Sequence, residues 1–151
     1  MNRIFATLMA ATFAVPAFAD GHATGDAEAG EKVFNKCKSC HMVVSDADET
    51  IVKGGKTGPN LWGVYQRQPG SVEGFKYGKD LIAAGEGLPD GWTEEMFIEY
   101  VADPKKWLQA TLDSTKAKSK MSFKLKKAED AANVWAFLVS VGPAPTEDSG
   151  S

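Results

Sequence analysis

The sequence predicts an all-α domain in which three main helices are joined by long loops. Three separate segments carry apolar residues that recur three or four positions apart, a spacing that places them on one face of a helix. The segment from 43 to 58 is polar and rich in glycine, which favours a loop. No segment alternates apolar and polar residues convincingly enough to predict a strand, and the sequence contains no internal repeat.

Capping residues indicate the expected bounds of the three helices. Asp26 is a candidate N-cap for the first helix, and Thr93 is one for the second. Pro104 is expected to end the second helix because proline disrupts a helix interior, and Gly142 with Pro143 should end the last one. The expected apolar faces of the three helices are Gly30, Val33, Phe34 and Cys37; Met96, Phe97, Tyr100 and Val101; and Ala131, Val134, Trp135 and Leu138.

The composition is that of a single globular domain. The chain has 151 residues, of which 43% are hydrophobic and 25% are charged, and both fractions are ordinary for a globular protein. The formal net charge of -3 argues against general nucleic-acid binding, so no nucleic-acid partner is expected. Beyond the N-terminus no stretch approaches the ~20 apolar residues that span a bilayer, so membrane insertion is not expected either.

The N-terminus has the features of an export signal. Asn2 and Arg3 precede an apolar run, and the run leads into Ala17-Phe18-Ala19, an A-x-A site expected to be cleaved after Ala19. An uncleaved membrane anchor is the alternative, although the run is short for one. The mature protein is therefore expected outside the cytoplasm, and in a bacterium that compartment would be the periplasm. The expected divisions are a cleaved signal peptide (1–19), a flexible segment (20–25), one folded domain (26–142) and a disordered tail (143–151).

The most specific motif contains both cysteines of the chain. Cys37, Cys40 and His41 form C-x-x-C-H, which is typical of covalent attachment of a c-type haem. Each thiol can add to one vinyl group of the haem, and the adjacent imidazole can bind the iron. One alternative is a redox-active dithiol, for which the usual βαβ context is missing. The other is half of a zinc site, which lacks ligands because the only other histidine is His22, in the flexible segment.

A haem would also complete an otherwise thin core. Three helices and long loops bury little apolar volume for a domain of this size, and a haem between the helices would supply more. Aromatic residues in these helices could pack on the haem or belong to the core. For Phe34, Phe97 and Trp135 the core is the preferred interpretation.

Several further motifs follow one another in a fixed order. They are Gly30 to His41, Thr57 to Leu61, Gly74 to Tyr77, Trp92, Glu99 to Lys105, and Lys120 to Phe123. In these motifs the chain resembles the class I c-type cytochromes, and most of all their larger c-two and c-five-fifty subgroup from photosynthetic and denitrifying bacteria. The resemblance runs nearly continuously from Gly25 to about Val141. It implies the cytochrome c fold, with three main helices and long loops wrapped around one haem c bound through Cys37 and Cys40.

The resemblance implies Met121 as the second iron ligand, opposite His41. A thioether favours ferrous iron and raises the reduction potential, which suits an electron carrier. Met42 is a poor alternative because it is adjacent to His41, and Met96 lies on the apolar face of a predicted helix. Met121 could also be a loop methionine that only fills the core.

The resemblance further implies how the ligands and the haem are surrounded. The Pro59 carbonyl would accept the ring N–H of His41 and orient it. Tyr100 would lie near the sulfur of Met121. Arg67, Tyr77 and Trp92 would hydrogen-bond a buried haem propionate, although each could instead be an ordinary surface or core residue.

Residue 66 departs from the family pattern. The family commonly has glycine immediately before the arginine, whereas this chain has Gln66 before Arg67. If that glycine serves a turn with positive φ, the position of Arg67 is in question.

A lysine-rich segment, from Lys105 to Lys127, contains Met121 in an otherwise acidic chain. It contains a single acid, Asp113, and eight lysines: Lys105, Lys106, Lys116, Lys118, Lys120, Lys124, Lys126 and Lys127. A solvated charged face is the simple interpretation. Because the lysines bracket Met121, they are expected to surround the haem edge and dock on acidic faces of membrane redox complexes. By resemblance these are a quinol–cytochrome c oxidoreductase as donor and a photosynthetic reaction centre or terminal oxidase as acceptor.

The predicted function is that of a monomeric, mono-haem electron carrier and not an enzyme. A haem enzyme or gas-binding protein is one alternative, but it needs an open iron position, which Met121 would close. A fixed electron-entry subunit of a larger enzyme is the other, and it would need a persistent interface.

Overall fold

The three predicted helices are present, and two shorter helices and a small hairpin accompany them. A computed structural model describes residues 23–143. The predicted signal peptide, the first part of the predicted flexible segment and the predicted tail beyond residue 143 lie outside the described residues. The elements are α1 (Ala27–Phe34), β1 (Val43–Val44), β2 (Thr50–Val52), a 3-10 turn (Val64–Gln66), α2 (Lys79–Glu86), α3 (Glu94–Ala102), α4 (Pro104–Thr111) and α5 (Ala128–Val141).

The predicted caps of α1, α3 and α5 are confirmed. The Asp26 carboxylate accepts the Ala29 amide at 2.8 Å, and the Thr93 hydroxyl oxygen accepts the Met96 amide at 3.2 Å. These contacts satisfy amide groups that have no partner inside the helix. Gly142 is the C-cap of α5.

Pro104 both ends α3 and begins α4, a helix that the sequence did not predict. Asp103 lies between the two helices and caps both of them. Its carboxylate accepts the Lys106 amide at 3.2 Å, and Pro104 occupies the first turn of α4, where its missing N–H costs nothing.

The sequence also did not predict helix α2 or the hairpin formed by β1 and β2. Gly78 is the N-cap of α2 and has no side chain to signal the start, and Gly85 lies inside the helix. Strands β1 and β2 pair antiparallel within the segment predicted to be a loop. They contain two and three residues, which is too short to show alternation.

The core lies where α1 and α3 pack against α5. A Cβ added to Gly30 of α1 would collide with the backbone carbonyl of Asn133, so glycine permits the close approach of α1 and α5. Phe34 contacts Phe137 with ring centroids 5.5 Å apart, and Phe97 of α3 contacts Trp135 at 5.2 Å. Within residues 23–143 no helix is long and apolar enough to cross a membrane.

Candidate cofactor site

All nine predicted site residues line one cavity of about 380 Å³ between the helices and the long loops. They are Cys37, Cys40, His41, Pro59, Arg67, Tyr77, Trp92, Tyr100 and Met121. Much of the remaining wall is apolar, with Leu61, Val64, Leu81, Phe97, Val101 and Val134. A cavity with apolar walls and a few polar groups is typical of cofactor sites.

The two cysteines follow directly from α1. Turns continue beyond the helix, because the Cys37 amide donates to the Phe34 carbonyl at 2.8 Å and the His41 amide donates to the Cys37 carbonyl at 3.0 Å. These turns bring all three residues of the motif to the cavity. Neither cysteine is in a disulfide, and burial raises the pKa of the Cys37 thiol to about 11. Cys40 is exposed at the edge of the cavity.

The imidazole of His41 is oriented by the loop that follows the hairpin. Its Nδ1 lies 2.9 Å from the Pro59 carbonyl oxygen. A carbonyl oxygen can only accept, so Nδ1 carries the proton and Nε2 is left with its lone pair. Burial lowers the pKa of His41, and the hydrogen bond to Pro59 partly opposes this effect. The neutral ring that results is the form that binds a metal.

Gly58 packs on the ring of His41, a contact that sequence reasoning missed. A Cβ at position 58 would lie 2.6 Å from His41 Nδ1 and closer still to Cε1, so any side chain there would displace the ring. The Gly58 amide donates to the Cys40 carbonyl at 2.8 Å, which holds this loop against the motif.

Met121 is the methionine of the described chain that lines the cavity; Met42 and Met96 do not. The Met121 amide donates to the Ser119 hydroxyl at 3.1 Å. Its loop, residues 112–127, is tied to the rest of the domain at several points. The Lys118 amide donates to the Asp80 carboxylate of α2 at 2.9 Å. The Leu125 amide donates to the Val101 carbonyl of α3 at 2.7 Å.

Tyr100 and Trp92 belong to an aromatic cluster beside the Met121 loop. Trp92 contacts Tyr100 at 5.1 Å and Trp107 at 5.3 Å between ring centroids, and Tyr100 contacts Trp107 edge-on at 5.4 Å. Burial raises the pKa of Tyr100, while a hydrogen bond to the Ser119 side chain lowers it. Ser119 therefore links Tyr100 to the backbone of Met121. Trp107 was not predicted because it lies on α4.

Arg67 is held by backbone carbonyls. Its two terminal nitrogens donate to the Trp62 and Asn60 carbonyls, each at 2.8 Å. Gln66 does not disturb this position, since it lies in a right-handed 3-10 turn that any residue can adopt. The positive φ before Arg67 belongs to Gly63, at 67°.

No protein-family model matches the chain, but known proteins resemble it closely. The cytochrome c-551 of Roseobacter denitrificans is 57% identical, over 93% of this chain and 96% of that protein. The cytochrome c-550 of Paracoccus denitrificans is 52% identical, over 93% and 88%. The solved structure of the cytochrome c2 from Paracoccus denitrificans matches 80% of this chain and 99% of its own with a TM-score of 0.75 and 52% identity. The chain is a class I c-type cytochrome of the c2 subgroup.

Members of this family are mono-haem electron carriers and not enzymes, and this cytochrome carries one covalent haem c attached through Cys37 and Cys40. The residues present fit that group. Two thiols reach the edge of an apolar cavity, an imidazole nitrogen is free to coordinate, and a thioether lines the same cavity.

The charged residues around the cavity of this cytochrome are all basic. Lys36, Lys76, Lys118, Lys120 and Arg67 line it, and no carboxylate of the described residues does. Positive charge at the cavity therefore comes from several segments of the chain.

The lysines of the predicted segment differ in their surroundings: some line the cavity and others form ion pairs. Lys118 and Lys120 lie at the cavity, but Lys124 forms an ion pair with Asp103 at 2.6 Å. Lys127 forms ion pairs with Glu129 at 3.0 Å and with Asp130 at 3.4 Å. The sequence could not indicate these pairs, because only the fold brings Asp103 to the Met121 loop.

Proposed function

We propose that this cytochrome shuttles single electrons in the periplasm, cycling between Fe(II) and Fe(III). Its donor would be a quinol–cytochrome c oxidoreductase, and its acceptor a photosynthetic reaction centre or a terminal oxidase or reductase. The observation that carries the proposal is the meeting of two thiols, one oriented imidazole and one thioether at a single cavity. An imidazole and a thioether would together hold a haem iron that exchanges electrons without binding a substrate.

In this proposal His41 and Met121 would both bind the haem iron. The bound haem c supplies one iron that accepts and releases one electron. Pro59 and Gly58 support the role of His41. The Pro59 carbonyl fixes which ring nitrogen is protonated, and Gly58 leaves room for the ring. Ser119 and Tyr100 would hold Met121 in place. Because His41 and Met121 would leave the iron no open position, neither catalysis nor gas binding at the iron is proposed.

The haem propionates would be held by Tyr77, Trp92 and Arg67. Burial raises the pKa of Tyr77, and the positive charge of Arg67 lowers it, so the two side chains lie close enough to interact. The terminal nitrogens of Arg67 already have carbonyl partners. Arg67 would therefore act partly through its positive charge, which stabilises a carboxylate in a half-buried site.

The docking surface would be formed by Lys76, Lys118 and Lys120, which line the cavity and are exposed. Among the described residues no ion pair involves these three lysines. A positive surface at the electron exit favours an acidic partner and a brief encounter, as a carrier needs. The export signal at residues 1–19 supports the periplasmic location, and a monomer would suit a diffusing carrier.

The deciding experiment combines a redox titration of the purified holoprotein with rates against purified membrane complexes. We expect one reversible one-electron transition and rapid oxidation by a reaction centre or a terminal oxidase. A protein that remains bound to one enzyme complex through gel filtration of native periplasm would instead be a fixed subunit. Cyanide binding to the ferric wild-type protein without loss of fold would contradict closed axial ligation.

The docking surface is tested by charge reversal. Lys118→Glu with Lys120→Glu should slow the bimolecular rate about tenfold or more at low salt, and the reduction potential should change little. Added salt should erase the difference, since exposed charges are screened within ~8 Å at physiological ionic strength. Glu28→Lys on α1 is the control and should leave the rate nearly unchanged. Equal effects of the two charge changes would mean that the lysines are only a solvated face.

A further inference from the structure

We propose that a second cavity of this cytochrome, outside the haem site, binds a compact polyphosphate anion such as pyrophosphate. The cavity has a volume of about 410 Å³. It lies between the start of α2, the start of α4 and the Met121 loop, and each of these segments contributes residues to its wall. A cavity of this volume is in the range that small-molecule sites occupy.

Four lysines from these three segments make the cavity positive. They are Lys79 of α2, Lys105 of α4, and Lys116 and Lys118 of the Met121 loop, and all four are exposed. In the part of the chain that the structure describes, none of them forms an ion pair. Helix α2 begins here with Gly78 as its N-cap, which has no side chain to neutralise the positive end of the helix dipole. The four ammonium groups can therefore bind one anion together.

One carboxylate, that of Asp80, lines the cavity beside the four lysines. It accepts the Lys118 amide at 2.9 Å, and this hydrogen bond holds the Met121 loop on α2. The lysines outnumber this carboxylate, so the cavity keeps an excess of positive charge. An anion with several charges on a few atoms balances that excess better than a singly charged one does. Pyrophosphate therefore suits the cavity better than the single phosphodiester of a lipid headgroup.

The protein itself holds in place the loop that carries two of these lysines. The side-chain amide of Gln109 in α4 donates to the Thr115 carbonyl at 2.7 Å. Ala117 is buried and belongs to the hydrophobic core. Because the loop is fixed at these points, little of its conformational freedom remains to be lost when an anion binds.

A bound anion would affect electron transfer through Lys118, which lines both cavities. This consequence rests on the docking surface proposed above, whereas the binding itself does not. The anion would neutralise part of the positive surface and slow the encounter with an acidic partner. Pyrophosphate should therefore lower the bimolecular rate more than sodium chloride of equal ionic strength does. Binding without a slower rate would contradict the docking surface and leave the anion site supported.

The test titrates the reduced holoprotein with pyrophosphate at low ionic strength. Calorimetry should show one equivalent bound, with an affinity that falls as salt is added. The amide NMR signals of Lys79 and of residues 115–118 should shift, and that of Glu28 on α1 should not. Vesicles of phosphatidylglycerol form the second arm. If they bind the protein while pyrophosphate does not, the lysines serve a lipid surface and the proposal is overturned.

Two double variants with the same change in net charge separate the cavity from the overall charge. Lys105→Gln with Lys116→Gln should weaken pyrophosphate binding about tenfold or more, because two of the four ammonium groups are lost. Lys53→Gln with Lys126→Gln is the matched control and should leave the affinity nearly unchanged, since both lysines are exposed and neither lines a cavity described above. An unchanged haem spectrum shows that each variant is folded. Equal losses of affinity in the two variants, or no stoichiometric binding to the wild-type protein, would refute the site.

Discussion

The segment around His41 is held mainly by backbone contacts, whereas the segment around Met121 depends more on side chains. On the His41 side, the Gly55 amide donates to the Lys38 carbonyl at 2.9 Å and the Gly58 amide donates to the Cys40 carbonyl at 2.8 Å. A Cβ at Gly54 would collide with the His41 carbonyl. The two loops therefore approach so closely that only glycine fits between them.

The Met121 loop is attached at separated points by groups from several elements. The Asp80 carboxylate accepts the Lys118 amide, the Lys120 ammonium donates to the Lys76 carbonyl at 2.8 Å, and Lys124 pairs with Asp103. Substituting one of these side chains removes one attachment and leaves the others. Substitutions on the histidine side should therefore disrupt the site abruptly, and substitutions on the methionine side should weaken it gradually.

The largest effect is expected from removing covalent attachment. Cys37→Ala with Cys40→Ala should leave a haem that dissociates when the protein is denatured, because only the axial bonds remain. Haem absorbance after gel filtration in denaturant measures this, with the wild-type protein as the control that keeps its haem. A wild-type haem that also separates would refute thioether bonds to these cysteines.

Removing the thioether ligand should have the next largest effect. Met121→Ala should lower the reduction potential and let cyanide bind ferric iron, because water or a weaker donor would replace sulfur. The weak far-red band of the ferric protein that arises from sulfur ligation should vanish. Met96→Ala is the matched control, and loss of the band in that variant alone would show that Met121 is not the ligand.

A side chain at Gly58 tests the close packing on the histidine side. Gly58→Ala should displace the imidazole and destabilise the holoprotein by about 1–3 kcal/mol, the usual cost of overpacking. Chemical denaturation followed by haem absorbance measures the change. Gly87→Ala is the matched control: its φ of -85° suits any residue, and its added Cβ would meet only the Ala84 carbonyl oxygen, at an ordinary contact distance of 3.6 Å. If the two variants lose equal stability, contact with His41 is not the cause.

The smallest effect is expected from one attachment of the Met121 loop. Asp80→Ala removes the acceptor of the Lys118 amide and should cost ~1 kcal/mol of unfolding free energy. The far-red band should weaken on warming at a lower temperature than in the wild-type protein, and Asp90→Ala at an exposed position should not change it. An abrupt loss of the band in Asp80→Ala at all temperatures would contradict the gradual failure expected of this side.

Local signals in the sequence predicted much of this arrangement. Asp26 and Thr93 each accept a hydrogen bond from the amide three residues further along the chain, so these residue types predict the start of a helix directly. The attachment motif is equally local, since Cys37, Cys40 and His41 lie within two turns. The order of the family motifs then placed Pro59 and Met121 at the same site.

Contacts between distant segments could not be predicted in the same way. Gly58 matters because it lies against a ring seventeen residues earlier in the chain, and only the folded loop shows this. Lys76 reaches the cavity from a different segment than Lys118 does. Helix α4 was not predicted, because a proline after a helix indicates where that helix ends but does not by itself indicate that another helix begins there.

The shared cap at Asp103 has a consequence for how this chain can change length during evolution. One residue separates α3 from α4, and its carboxylate serves Lys106 and Lys124 together. An inserted residue there would break the cap, shift α4 by a fraction of a turn and move Trp107 away from Tyr100. The hairpin turn at 46–49 is exposed, so insertions there should be tolerated. Differences in length among relatives should therefore accumulate at the hairpin, while the segment from Thr93 to Thr111 keeps a constant length.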